Sequence, residues 1–469
     1  MNRQRSCLAV LMCMTAASVV TQAQAPNQAT PPQTLTLDGA IEFATEHYPT
    51  VRAALEQVNA SAADVDVARS AYLPRLDSLW QSNRATANNI FGQLLPQSVI
   101  PSMSGPVLAS ASGQSVWGSA TGALFSWEPF DFGLRHATVV SAQTALTQAR
   151  AGETLTRLDV QNVVASAYLG VLAAQRTVIA AQADFDRRNV LLQSIQALVT
   201  NQLRPGADQS RAEAERAAAQ TRLIQAQQTL TVSQVLLTRV LGSTQTSVMI
   251  SDEGLLTRLP SQDIAATSVE AHPLAQLRRA SVEQAHAQED VLAQTDRPRV
   301  FLQSSVFARG SGANANGTFD GGVDGLGLDR ANWAAGVQIL FPNLFDFSAL
   351  HARKAAAAAS SRASSALYDE SLLTVTSQQH TAAVLLQTTR AVAANTPVQL
   401  AAAQQSEMQA RARYDAGLAN IVEVAEAQGL LAQAEVQDQL ARVDVWRALL
   451  AAAVAQGDLA PFLTILRQP

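Results

Sequence analysis

The chain has 469 residues, of which 5% are aromatic and 15% charged, a poor recipe for several compact catalytic cores and a good one for long helices packed through small side chains. Its formal net charge of -5 argues against a nucleic-acid partner. Lys354 is the only lysine, so nearly all the positive charge is guanidinium.

The N-terminus, MNRQRSCLAVLMCMTAASVVTQAQA, sets Arg3 and Arg5 ahead of an apolar run from Cys7 to Ala17, with small residues at Ala23 and Ala25. This is the pattern of a secretory signal peptide. Cleavage is expected after Ala23, since Ala25 is followed by Pro26, which makes residues 1–23 the leader. Both cysteines, Cys7 and Cys13, fall inside it, so the mature chain is expected to carry no thiol and no disulfide. No unbroken run of about 18 apolar residues follows.

From there the chain repeats itself. A His lies just before each of Pro49 and Pro273, and each proline is followed 25 positions later by a Pro-Arg pair, Pro74-Arg75 or Pro298-Arg299. Phe130-Asp131-Phe132 recurs as Phe345-Asp346-Phe347, and a break at Gly206 recurs at Gly417. The offsets are 224, 215 and 211, shrinking in two steps as insertions in a duplicated unit would. The units are read as residues 35–245 and 260–457, with a C-terminal tail at 458–469. The run GSTQTSVMISDEG at 242–254 is a linker, because it lacks the Gly-Lys-Ser/Thr core of a nucleotide loop.

Between each Pro-Arg pair and its FDF the pattern alternates. Strands are expected at about 76–86 and 116–128 in the first unit, and at about 300–309 and 333–341 in the second. The run WAAGVQILF puts Trp333, Ala335, Val337, Ile339 and Phe341 on one face, and Trp117, Phe125 and Trp127 align in the same way. Four of the five tryptophans, Trp80, Trp117, Trp127 and Trp333, lie in these runs. Strands of about ten residues cross an outer membrane at a tilt, which makes Trp117, Phe125, Trp127, Trp333, Val337 and Ile339 candidates for a lipid-facing surface. A soluble β-hairpin cap on a helical bundle is the other reading of the same alternation.

After each FDF the period becomes seven. Val164, Val171, Val178, Phe185, Leu192 and Val199 form one apolar seam; Leu223, Leu230 and Leu237 resume it after Arg204-Pro205-Gly206; Val422, Gly429, Val436, Val443 and Leu450 run through the second unit. Such spacing is a coiled-coil seam, and each break closes a helical hairpin. A helix from about Leu134 to Gln202 would be on the order of 100 Å long. Pro397 falls inside the matching helix of the second unit, where a kink is expected.

The stretch LTLDGAIEFATEHYP at 35–49, the FDFG at 130–133 and YDAGLANIVEVAEAQ at 414–428, in this order and duplicated, resemble the TolC-like outer membrane efflux protein family over essentially the whole mature chain. The resemblance implies a homotrimer in which four strands per chain close one 12-stranded β-barrel, continued by a periplasmic α-helical barrel. It also implies a periplasmic gate near Tyr414 and Gly417, with Glu423 and Glu426 where relatives often carry acidic residues that narrow the pore. Three residues apart, these two carboxylates share a helix face; ordinary solvated helix residues are the alternative. Ala419 stands where some relatives have an arginine that ties the closed state, and Arg211 and Ala212 replace the partners of that latch in the first unit. The turns at Gly206 and Gly417 are, by the same resemblance, tips that contact a periplasmic adaptor.

Asp320, Asp324 and Asp329 among the glycines of 311–330 suggest either a flexible extracellular loop or calcium. The six histidines show no metal-ligand spacing, and no nucleophile, base and acid share a scaffold. No cofactor and no enzymatic activity are expected. The leading function is an outer-membrane exit duct, in a Gram-negative bacterium, for a tripartite efflux or type I secretion system. It would be passive and fed by an inner-membrane transporter through the adaptor. The alternative is a secreted coiled-coil structural or adhesin-like protein.

Overall fold

A computed structural model describes residues 34–86, 88, 94–101, 113–243, 248–251, 254–314, 316, 318–319, 322–342 and 347–468. The expected leader, Asp320 and the Phe345-Asp346 pair lie outside these residues.

The first unit runs β1 (Thr34–Leu35), α1 (Leu37–His47), α2 (Pro49–Ser70), β2 (Arg75–Thr86), β3 (Ser115–Phe130), α3 (Leu134–Thr200) and α4 (Gly206–Val240). After β4 (Met249–Ile250), the second runs α5 (Pro273–Gln294), β5 (Arg299–Ser311), β6 (Arg330–Leu340), α6 (Phe347–Asp415) and α7 (Ile421–Ala455), and α8 (Ala460–Arg467) ends the chain. The 67 residues of α3 and the 69 of α6 each span on the order of 100 Å. Helix α6 continues through Pro397. Along the seams Val164, Val171, Leu237 and Val443 are fully enclosed, while Val178, Phe185 and Val436 are half-buried.

The duplication is tighter than the sequence offsets suggest. Helices α2 and α5 have 22 residues each and α4 and α7 have 35 each. Helix α3 ends 215 residues before α6, and α4 begins and ends 215 residues before α7, the same offset as the FDF pair. The 211-residue match of Gly206 to Gly417 is therefore a coincidence of glycines. Gly417 (φ +73°) corresponds to Gln202 (φ +59°), each the left-handed residue that ends a long helix. Gly206 is the first residue of α4 and corresponds to Ile421. A single length change remains, from 224 to 215, and it falls in the β-hairpins. Likewise Tyr48, not His47, is the counterpart of His272.

Strands β2, β3, β5 and β6 form one antiparallel sheet in that order. Registers Trp80↔Thr121, Leu302↔Trp127, Ser304↔Phe125 and Leu302↔Val337 put Trp80, Phe125, Trp127, Leu302, Trp333, Val337 and Ile339 on one face, since directly opposed residues share a side. Trp80, Trp333 and Val337 on this face are each at least two-thirds exposed. Its reverse carries Asp77, Gln81, Asn83, Gln303, Arg309 and Gln338, joined by the registers Gln81↔Ala120 and Phe301↔Gln338. Trp117 sits at the end of β3 next to Arg84, whose guanidinium lies 6.0 Å from its ring.

The FDFG segment joins sheet to helix. The Asp131 carboxylate accepts from the Gly133 and Arg135 backbone N–H groups, capping α3, and pairs with the Arg135 guanidinium at 2.9 Å. Burial opposes the charge on Asp131, but these donors outweigh it and hold its carboxyl below the usual range. Arg135 also donates to the Ala71 carbonyl and stacks on Tyr72 at 4.6 Å, tying α2 to α3. Arg299 grips Glu128 with two bonds, at 2.6 and 2.7 Å, tying β5 to β3.

The main core is a waist where α1, α3, α4, α7, α8 and the β1–β4 pair converge on Tyr168, Leu169, Leu172, Leu237, Leu449 and Phe462. A stretch of α3 is long and apolar enough to cross a membrane by length and composition, and half of it is buried within the chain. Leu158, Val160, Val164, Leu169, Val171 and Leu172 of α3 lie in this waist, where their apolar side chains are packed within the chain. Trp446, the fifth tryptophan, donates to the Leu255 carbonyl here at 2.8 Å.

In each unit the opening proline meets the glycine that ends the last long helix. A Cβ on Gly242 (φ +72°) would lie 3.5 Å from Pro49 Cδ, whereas one on Gly457 (φ +81°) would lie 2.5 Å from Pro273 Cδ and 3.0 Å from His272 Cδ2. Both alanine variants carry left-handed strain of about 1 to 2 kcal/mol; only the second adds overpacking, of about 1 to 3 kcal/mol. Gly457→Ala is thus expected to lower the thermal unfolding midpoint clearly more than Gly242→Ala. Equal losses would mean that backbone strain alone sets the effect.

Candidate gate at the paired hairpin turns

Both turns owe their shape to the same device. At the end of α6 the Leu418 N–H reaches the Arg413 carbonyl at 2.8 Å and the Gly417 N–H the Tyr414 carbonyl at 3.0 Å; at the end of α3 Leu203 reaches Leu198 and Gln202 reaches Val199, both at 2.9 Å. These paired bonds close a helix around one left-handed residue. Asn420 then caps α7 by accepting from the Val422 and Glu423 N–H groups, and Pro205 precedes α4.

The two turns pack on each other. Leu191, Leu192 and Ile195 of α3, Ala212 of α4, Tyr414 of α6, and Ile421 and Val424 of α7 form one apolar cluster, with Ala419 partly buried against it. Ala212 and Ala419 therefore occupy packing positions here. Tyr414 is 2% exposed, enclosed within a single chain. Arg204 of the first turn stacks on its ring at 4.4 Å and donates to its carbonyl at 2.8 Å. Burial, with Asp208 and Asp415 nearby, raises the Tyr414 phenol above its usual value despite Arg204.

Glu423 is paired with Arg413 across the second turn at 3.5 Å, its side chain 42% exposed, and Glu426, one helical turn on, is exposed. Arg211 pairs loosely with Glu215 on its own helix, at 3.9 Å. Further from the turns, Asp184 and Arg188 of α3 are buried together at 2.9 Å, extended by Glu215 and Arg222 of α4 at 2.8 Å each. Arg187 binds Glu435 of α7 through two bonds, crossing from one repeat to the other.

The sequence reading names Glu423, Glu426 and Tyr414 at these turns but not the cations Arg204, Arg413 and Arg187. Arg204 sat in view in the Arg-Pro-Gly break; what was hidden is that its partner lies 210 residues away. Among the described residues no group of His, Cys, Asp and Glu is placed to hold a metal ion.

A sequence model described as outer membrane efflux protein matches residues 40–243 and 269–457, the two repeats just traced. The chain belongs to the outer membrane efflux protein family. That is a family of outer-membrane channels, not of enzymes. Its fold is shared by VceC, an outer membrane protein of Vibrio cholerae, at TM-score 0.70 and 20% identity over 90% of this chain and 96% of that one. It is shared equally by the CmeC outer membrane channel of Campylobacter jejuni, at 0.74 and 14% over 90% and 85%. The MtrE outer membrane channel of Neisseria gonorrhoeae, solved in its open state, gives 0.71 and 17% over 90% and 89%. No curated protein matches the chain in sequence.

Proposed function

We propose that this outer membrane efflux protein works as a homotrimeric exit duct whose twelve strands close one barrel in outer-membrane lipid and whose helices continue as a tube through the periplasm. The observation that carries the reading is the sheet. It has one apolar exposed face, one polar face, and two edge strands, β2 and β6, that pair on one side only. Lipid cannot satisfy an open edge, and three copies joined edge to edge remove it. The helical hairpins leave the sheet at one end and turn back at Gln202 and Gly417, which supports reading the turns, with Gly206, as the far periplasmic tip. There they are available to an adaptor bound to an inner-membrane transporter. Passive export is part of this reading, and the lack of a Gly-Lys-Ser/Thr core in the 242–254 linker is in keeping with it.

Glu423 and Glu426 of three chains would form acidic rings at that tip, with Arg413 neutralising part of the first. Tyr414 acts through packing, holding the two hairpins together with Arg204. Single-channel recording in a salt gradient tests this. Wild type is expected to be cation-selective, the Glu423→Gln, Glu426→Gln pair less so, and Arg413→Gln more so. One common reversal potential for all three would remove these residues from the constriction.

A further inference from the structure

Between β2 and β3 the described residues include a turn that packs on the sheet. Residues 94–101 fold down onto its polar face. Ile100 is 2% exposed and packs on Ala120 and Phe307, with Leu79, Leu94 and Val99 around it. The registers Leu79↔Gly122 and Gly122↔Phe307 put Leu79, Ala120, Gly122 and Phe307 on the same side as Gln81, Gln303 and Arg309, opposite Trp333 and Val337. The seat is made by small residues: a Cβ on Gly122 would come within 2.7 Å of Phe307 Cβ and 3.2 Å of Ile100 Cγ1. The turn also closes on itself. Gln97 Oε1 accepts the Val99 and Ile100 N–H groups at 2.6 and 2.7 Å, and its Nε2 donates to the Ile100 carbonyl at 2.8 Å. A shape held this way needs no partner chain. Directly below it, Pro101, Leu124, Gln303 and Ser305 line a cleft of about 290 Å³.

We infer that residues 94–101 form an apolar sill inside the barrel, anchored by Ile100, that sets the size of solute able to pass its extracellular half. The inference rests on the channel reading above, which makes the polar face the lumen. Three copies would project three such turns from the wall toward the axis, narrowing the lumen by bulk. Because Leu94 and Val99 are only partly buried around Ile100, they also leave apolar surface at that level and weaken the hold of water there. Bulky solutes are then discriminated at the membrane end of the duct, independently of the tip.

The test uses single cysteines, since Cys7 and Cys13, both in the expected leader, are the only ones. Gln303→Cys reports the polar face, four residues beyond Phe307 on β5, and Ser304→Cys reports the opposite one. Intact cells carrying full-length protein are treated from outside with a small charged methanethiosulfonate or with a poly(ethylene glycol)-maleimide several kilodaltons in mass. The small reagent is expected to label Gln303→Cys and spare Ser304→Cys, and the bulky one to label neither. Adding Ile100→Asp, or deleting residues 94–101, is expected to turn exclusion of the bulky reagent from Gln303→Cys into labelling, with trimers intact on unheated gels. Bulky labelling already without those changes, or continued exclusion with both, overturns the sill and leaves the channel standing. A small reagent that misses Gln303→Cys, or prefers Ser304→Cys, overturns the lumen assignment and the sill together.

Discussion

Val337→Arg is expected to cut the yield of trimer in the outer membrane sharply, while Gln338→Arg, its neighbour on β6, leaves it near wild type. Val337 is 67% exposed and lies on the face shared by Trp333 and Leu302; Gln338 points the other way. A cation on the lipid side of a barrel near mid-bilayer costs about 2 to 4 kcal/mol, and the proposed trimer would carry it three times. Trp333→Arg, at a residue 78% exposed, should act in the same direction, more weakly if it sits nearer the interface. Heat-modifiable bands from isolated outer membranes are the readout. Normal assembly of Val337→Arg, or equal loss with Gln338→Arg, would mean that this face does not meet lipid.

The second large effect belongs to the buried ion pair of the helical hairpins. Arg188→Met leaves Asp184, whose side chain is 4% exposed, with only the half-exposed Arg222 as its cation. Breaking a buried pair from one side costs about 3 to 5 kcal/mol, whereas replacing both partners by apolar residues is often close to neutral. The expected pattern is a large drop in thermal stability for Arg188→Met and recovery of much of it in Asp184→Leu, Arg188→Met, measured by helical circular dichroism of the detergent-solubilised trimer. Equal losses in the single and double variants would mean that the lost packing of the guanidinium stem, not the uncompensated charge, sets stability here.

The long helices were legible because a seven-residue period sustained from Val164 to Val199 has few other physical explanations, and Val164 and Val171 are indeed fully enclosed. The strands were legible through alternation, most clearly at Trp333 to Ile339. The turns were not read correctly in detail. Glycine draws attention as the residue that takes a left-handed backbone, but at the end of α3 that conformation belongs to Gln202, which carries no such signal. The cations of the site were invisible for a different reason. Arg204 and Tyr414, or Arg187 and Glu435, are neighbours only because two hairpins of equal length lie side by side, and a local pattern cannot report a contact across more than 200 residues. Ile100 was missed for a related cause: nothing in its sequence neighbours says that Ala120 and Gly122 leave a hollow for it.

The common 215-residue offset carries a consequence for how such chains can change. Two legs that must stand on the same floor cannot be lengthened one at a time. Inserting one heptad on each side of a single turn would push that turn about 10 Å past the other, pulling Arg204 away from Tyr414 and dissolving the cluster between them. Any length variation along the helices should therefore arrive in both repeats together, whereas the loops at the opposite end answer to no such partner. There the chain has already spent its freedom, nine residues more in one hairpin than in the other.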